Sequence, residues 1–227
     1  MDSLNGKTVV VVGGGSGIGK AVAKAASDEG ASVVLSSRTQ SKLAQVAETL
    51  DGASVVPVDM TDGVSVDNWA AALPQIDHLV ISASSAAHGS FAELEEDALR
   101  AMFEAKFFGP YRTAKAALSK IKPGGSITFF SGVLSRRPGM NCSGLGAVNG
   151  AVESLSYGLG LELGPDVRVN CVSPGMVRSE AYEGMPVDAR EAMYEATGQS
   201  LPLARVGTVD EAASAALYLM TNTFSTG

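Results

Sequence analysis

The chain has 227 residues, a net charge of −7, and 45% hydrophobic against 18% charged residues. That length fits one α/β domain, and that balance excludes disorder and low complexity. The acidic charge, with no basic run longer than two residues, leaves no electrostatic footprint for nucleic acid or a membrane surface.

In chain order, short β-branched runs alternate with longer helical patterns. Thr8 to Val12 reads as a buried strand and Gly17 to Glu29 as a helix closed by Gly30. Ser32 to Leu35 is a second strand, Ser41 to Leu50 a second helix, and Ser54 to Val58 a third strand. A short helix around Val64 to Leu73 leads to a fourth strand, His78 to Ile81. Glu93 to Lys120 reads as one long helical stretch. Pro123-Gly124-Gly125 is a turn, and Ser126 to Phe130 a fifth strand. Gly144 to Leu163 is helical, Val167 to Val172 a sixth strand, and Asp210 to Met220 a last helix. The strands are nearly continuous apolar runs, as expected of strands covered on both faces of a parallel sheet. Strict β–α alternation implies right-handed crossovers. The expected fold is therefore α/β, a single-domain doubly wound parallel sheet of Rossmann type, over residues 1–227.

Two cysteines, Cys142 and Cys171, are too few for a disulfide framework and read as reduced thiols of a cytoplasmic protein. The polar start has no secretory pattern, and no apolar run approaches about 18 residues, so no membrane partner is expected. Two histidines supply no His-rich metal site, so no metal is expected.

The turn Val12-Gly13-Gly14-Gly15-Ser16-Gly17-Ile18-Gly19 lies between the first strand and the first helix. A glycine-rich turn lets backbone N–H groups approach a diphosphate, which the helix N-terminus also attracts. Its strand–turn–helix context makes it a candidate dinucleotide site. About 20 residues further on, an acidic side chain would accept from the 2′-hydroxyl of NAD. Ser36-Ser37-Arg38 stands there instead. With a guanidinium and no carboxylate, the 2′-phosphate of NADP(H) is favoured.

With these residues in view, the sequence resembles the short-chain dehydrogenase/reductase family over nearly its whole length. Gly13, Gly17 and Gly19 match the family's TGxxxGIG. Val58-Asp59-Met60-Thr61-Asp62 matches the segment that holds the adenine. Val169 to Ser179 matches RVNxVxPGxxxT, including Pro174 and Gly175. By that resemblance the Val177 backbone and the Ser179 hydroxyl meet the nicotinamide carboxamide. The family's Asn-Asn-Ala-Gly after the fourth strand reads Ile81-Ser82-Ala83-Ser84, and the chain stops before the family's usual last strand.

The resemblance also implies a Tyr that donates a proton, a Lys four residues later, a Ser that orients the carbonyl, and an Asn on the preceding helix. Here the Lys position holds Asn149, the Tyr position Leu145, the Ser position Gly132 beside Ser131, and the Asn position Lys106. Asn and Lys have thus traded places, which makes Lys106 the leading candidate for a pocket cation or proton donor. Ser131 and His88 are further candidates; each has an ordinary structural alternative. Cys142 lies on the loop over the pocket with no base evident in the sequence. Tyr111 and Lys115 form a literal Y-x-x-x-K but precede the fifth strand, and read as an ordinary packing Tyr and a solvated Lys. Met176, Met185 and Met193 fall where the family has a substrate lid and read as adaptable apolar lining.

Two functions follow. One is an NADP(H)-dependent oxidoreductase acting on a small carbonyl or alcohol with a non-standard acid. The other is an NADPH-binding pseudoenzyme, a sensor or partner subunit; a non-redox enzyme on the same scaffold is a third. The resemblance implies a homodimer or homotetramer built on the helices around residues 105–120 and 145–163. Gly158 and Gly160 allow a neighbour to approach there, or allow packing within the chain.

Overall fold

The computed structural model describes residues 3–82 and 87–227. Six parallel strands form one sheet in the order β3-β2-β1-β4-β5-β6. They are β1 (Thr8–Val12), β2 (Ser32–Ser36), β3 (Ser54–Val55), β4 (Ile76–Ile81), β5 (Ile121–Phe130) and β6 (Val167–Val172). The order reverses between β1 and β4, where doubly wound sheets bind their ligands.

Alternation along β1 explains the two layers. Val9 and Val11 pack on one face with Ala21, Val22 and Ala26 of helix α1 (Gly17–Asp28) and Ala213 and Ala216 of a C-terminal helix, Val209–Thr221. Val10 and Val12 pack on the other face with Trp69 of α3 (Gly63–Ala72), Ala114 and Val152. Helix α2 (Gln40–Ala47) contributes Leu43 and Val46 to the first layer. Trp69 keeps its indole N–H satisfied by donating to Ser36 Oγ at 2.9 Å.

Several elements differ from the sequence reading. β5 begins at Ile121 and not at Ser126, so the expected turn Pro123-Gly124-Gly125 lies inside the strand, where the register with β4 shifts between Ile76 and His78. β3 is shorter than 54–58 because Pro57 has no N–H for the ladder, although Val56 and Val58 still donate to Leu35 of β2 and to Ser37 just beyond it. β4 begins at Ile76, because the Asp77 carboxylate is satisfied by Thr8 N and Lys122 Nζ, each at 2.9 Å. The expected helix 93–120 is divided. It runs as α4 (Glu96–Phe103), a π-helical turn Glu104–Phe108, α5 (Gly109–Ala117) and a 3₁₀ turn Leu118–Lys120. Pro110 cannot donate to the carbonyl four residues back, and its ring crowds that turn, so a wider turn precedes it. Gly109 is required there: a Cβ would stand 3.0 Å from both Glu104 O and Met60 Cβ.

Beyond the 3₁₀ turn Val133–Ser135 comes α6 (Ser143–Leu163), the longest helix. After β6 the chain forms a two-stranded parallel pair, β7 (Val177–Arg178) with β8 (Gly207–Thr208). Between them lie the 3₁₀ turn Glu180–Tyr182 and α7 (Val187–Gln199), a helix the sequence reading did not assign. α8 (Val209–Thr221) opens with a capping box between Thr208 and Glu211. Residues 225–227 then run beside β6, with Gly227 N donating to Val169 O at 2.8 Å. A Cβ on Gly160 would lie 3.1 Å from Gly227 N, so Gly160 is explained by packing within the chain. At Gly158 a Cβ would meet nothing.

Arg168 on β6 ties this end down. Its guanidinium donates to the carbonyls of Leu219, Met220 and Ser225. Replacing it, as in Arg168→Met, leaves those carbonyls unserved and is expected to cost about 2–4 kcal/mol, read by urea denaturation.

Candidate functional site

A cleft of about 740 Å³ opens beyond the ends of β1 and β2. Its floor is the glycine turn. Gly13 and Gly17 have φ of +91° and +53°, the left-handed region that favours glycine. Gly19 has no room for a side chain, because a Cβ would stand 2.2 Å from Gly13 O and 2.5 Å from Ser82 Oγ. Gly13, Gly15, Ser16, Gly17, Ile18 and Gly19 all line the cleft. So do Ser37 and Arg38 at the end of β2, joined by Lys42, which the sequence reading did not single out.

On the next wall are Asp59, Met60 and Ser82. Asp59 accepts from the Thr61 hydroxyl at 2.7 Å and the Thr61 N–H at 2.9 Å. These bonds, with the nearby Arg38 charge, hold its carboxyl below the ordinary value. Ser82 N donates to Val12 O at 2.9 Å, which closes the gap between β1 and β4. Ser179 lines the opposite wall. Pro174, Gly175 and Val177 do not. The Pro174 carbonyl accepts from Val133 N at 2.9 Å, and Val177 is buried in β7. Ala83 and Ser84 lie outside the described residues.

At the ends of β5 and β6 the structure brings Lys106, Ser131, Gly132 and Asn149 together. Lys106 is the buried residue of the π turn, whose neighbours Glu104 and Ala105 line the cleft. Its Nζ donates to Ser131 O at 3.2 Å. Burial pushes its pKa from 10.5 down to about 8, with a partial opposing pull from Cys171. The Cys171 thiol is itself pushed up to about 11 by burial. Asn149 is also buried, and its Oδ1 has no partner among the described residues. A Cβ on Gly132 would lie 2.8 Å from Asn149 Nδ2, so the amide occupies the space that a side chain at 132 would need.

The remaining candidates separate. The Ser131 hydroxyl turns into α6, donating to Asn149 O at 2.9 Å with Glu153 Oε1 at 3.3 Å. Leu145 is buried in a small apolar cluster with Met102 and Val148. His88 is exposed, outside the cleft lining, with its Nδ1 3.5 Å from Cys142 Sγ. Tyr111 and Lys115 are both exposed on α5. Sequence reasoning missed Glu153. It is buried and accepts from Ser135 Oγ (2.7 Å), Ser173 Oγ (2.6 Å) and Arg136 Nε (3.1 Å). Burial raises its carboxyl, but those donors outweigh it and the net shift is downward. Its partners come from the turn after β5 and from the end of β6, so spacing along α6 carries no signal for it.

No helix of the described residues is long and apolar enough to cross a membrane. Nor do they contain a group of three or more His, Cys, Asp or Glu able to hold a metal ion.

Comparison with known proteins bears on the family and the fold. The family model described as enoyl-(acyl carrier protein) reductase matches residues 12–227. The chain is 31% identical to an L-fucose dehydrogenase of Mus musculus, over 98% of this chain and 85% of that protein. A solved small-chain dehydrogenase in complex with NADPH superposes with a TM-score of 0.85 at 33% identity, covering 98% of this chain and 94% of the other. A short-chain dehydrogenase/reductase from Brucella melitensis, described as a glucose/ribitol dehydrogenase, gives a TM-score of 0.91 at 26% identity, covering 100% and 95%. On sequence and fold alike, this chain belongs to the short-chain dehydrogenase/reductase family.

Proposed function

We propose that this chain is an NADP(H)-dependent oxidoreductase that reduces a small carbonyl, or oxidises the matching alcohol, with Lys106 handling the proton. The observation that carries this reading is Lys106 itself, a buried amine with a pKa near 8 that follows the cleft residues Glu104 and Ala105 and is held by the Ser131 carbonyl. General acids work best when their pKa lies near the working pH.

The cleft fits the dinucleotide by three features. The backbone of the glycine turn and the N-terminus of α1 suit a diphosphate. Arg38, Ser37 and Lys42 line the β2 end, so cations stand there for a 2′-phosphate. Asp59 and Met60 lie where the resemblance puts the adenine, and Ser179 where it puts the carboxamide. When bound, NADPH supplies the hydride. The carbonyl carbon receives that hydride while Lys106 gives its proton to the carbonyl oxygen. The neutral amine then regains a proton from solvent, and alcohol oxidation runs these moves in reverse. Ser131 and Glu153 hold the end of β5 against α6, which fixes the carbonyl that Lys106 grips. For assembly we propose self-association through α5 and α6, where Tyr111, Tyr157 and Leu161 are exposed.

One observation favours a second reading, a cofactor-binding sensor or partner subunit without turnover. Leu145 fills the position of the family's Tyr with a packed aliphatic side chain that cannot move a proton.

Two outcomes follow. Arg38→Ala should weaken NADPH binding at least about tenfold and leave NADH binding nearly unchanged, measured by fluorescence titration; equal losses contradict the 2′-phosphate assignment. Carbonyl reduction should fall as pH rises through about 8, where Lys106 loses its proton. Lys106→Met should remove that limb and lower kcat on the order of 10²–10⁴-fold. The same shift sets a stability trend. At Lys106 the unfolded chain binds more protons between about 8 and 10.5, so this residue's contribution to stability rises with pH through that window, against the opposite trend from Cys171 above about 9. Lys106→Met should lose this dependence in denaturation curves.

A further inference from the structure

We propose that the Glu180 carboxylate is a built-in stand-in for the cofactor's diphosphate, so that cofactor binding exchanges one anion for another at the N-terminus of α1. The inference rests on the NADP(H) reading and adds a means of regulating that site.

The contact spans the chain. Glu180 Oε2 accepts from Gly17 N at 2.9 Å, across 163 residues of sequence. Gly17 is the first residue of α1, a 12-residue helix. Its N-cap, Ser16, makes no side-chain capping bond, and the first turn holds no acidic residue. A helix start leaves N–H groups without intrahelical partners and carries partial positive charge, so it attracts an anion. Glu180 supplies that anion from the far side of the cleft. A Cβ on Gly17 would come within 3.8 Å of both Glu180 Oε2 and Ser179 Cβ, so this segment lies directly over the glycine. Gly17 and Glu180 line the same cleft. The N–H that suits a diphosphate oxygen is therefore already engaged by a carboxylate oxygen.

What has to move is limited. Val177 and Arg178 pair with Gly207 and Thr208 of β8. Arg178 is bound to Glu191 of α7 at 2.5 Å and lies 4.3 Å over the Tyr194 ring. Tyr194 Oη in turn accepts from Ser179 N at 3.4 Å. The backbone leading to Glu180 is thus held on two sides, while the Glu180 side chain is exposed, and rotation about its own torsions would release Gly17 N. An incoming diphosphate would face Glu180 and the neighbouring cleft residue Glu183, two like charges. Binding then requires Glu180 to swing out. The measured affinity is the intrinsic affinity reduced by the fraction of molecules in which Glu180 is already out.

The test is NADPH titration of wild type, Glu180→Ala and Glu180→Gln, with melting temperatures taken without and with NADPH. Both variants are expected to bind NADPH more tightly, Glu180→Ala by about threefold to thirtyfold. Without cofactor, the melting temperature of Glu180→Ala is expected to fall slightly, since α1 loses its cap. This opposition of signs separates the exchange from a merely structural role, which would lower both quantities. Equal or weaker NADPH binding by the two variants overturns the proposal and leaves the cofactor reading intact. No binding by any of the three proteins, each folded by circular dichroism, overturns the cofactor reading and the exchange with it.

Discussion

The close approach of Gly19 to Gly13 constrains the rest of this molecule. The Gly13 carbonyl lies 2.2 Å from where a Cβ on residue 19 would stand, and the Ser82 hydroxyl 2.5 Å from it. Three segments therefore meet with no side chain on residue 19 between them: the turn after β1, the first turn of α1 and the end of β4. That contact seats α1 tightly against the sheet and directs its N-terminus over the point where the strand order reverses. The cleft, with its cations at the β2 end and its carboxylates at the Ser179 to Glu183 wall, follows from this arrangement.

A second constraint shapes the catalytic side. Pro110 makes a regular helix unfavourable just before it, and the π turn that results turns Lys106 under the cleft wall. Burial then makes the amine a weaker base, while the Ser131 carbonyl keeps it in place. Gly132 and Asn149 form one unit, because the amide of Asn149 takes the space of any side chain at 132. The residues at 106, 132 and 149 are thus explained together. On the proposed reading, the ammonium of Lys106 stands opposite α6, whose Asn149 amide fills the space beside Gly132.

Much of the fold was legible because the strands are apolar runs with little competing signal, and because glycine turns punctuate them. β1, β2 and β6 fall within a residue of where Val-rich runs place them. The π turn was not legible: helical periodicity continues through it, and only Pro110 hints at the change. α7 was missed because its sequence, Val187–Gln199, has no clear apolar stripe and buries only Tyr194 and Gly198. For the site, the glycine turn and Arg38 stand out because their chemistry needs particular residues at particular spacings. Glu180 and Glu153 do not, because each acts on a partner that only the folded chain brings near. The opposite holds for Ser131, whose sequence position suggested a hydroxyl that could take the family's Ser role and whose fold turns it into α6.

The most direct test of this account is NADPH oxidation across a broad panel of small carbonyls. Wild type would be run beside a Gly132→Ser, Leu145→Tyr, Asn149→Lys variant that restores the family's residues. The account predicts turnover by the wild type on at least one carbonyl, without the restored residues. A wild type that binds NADPH and oxidises none of it, beside an active restored variant, would contradict Lys106 as the acid and establish a binding protein that has lost redox chemistry.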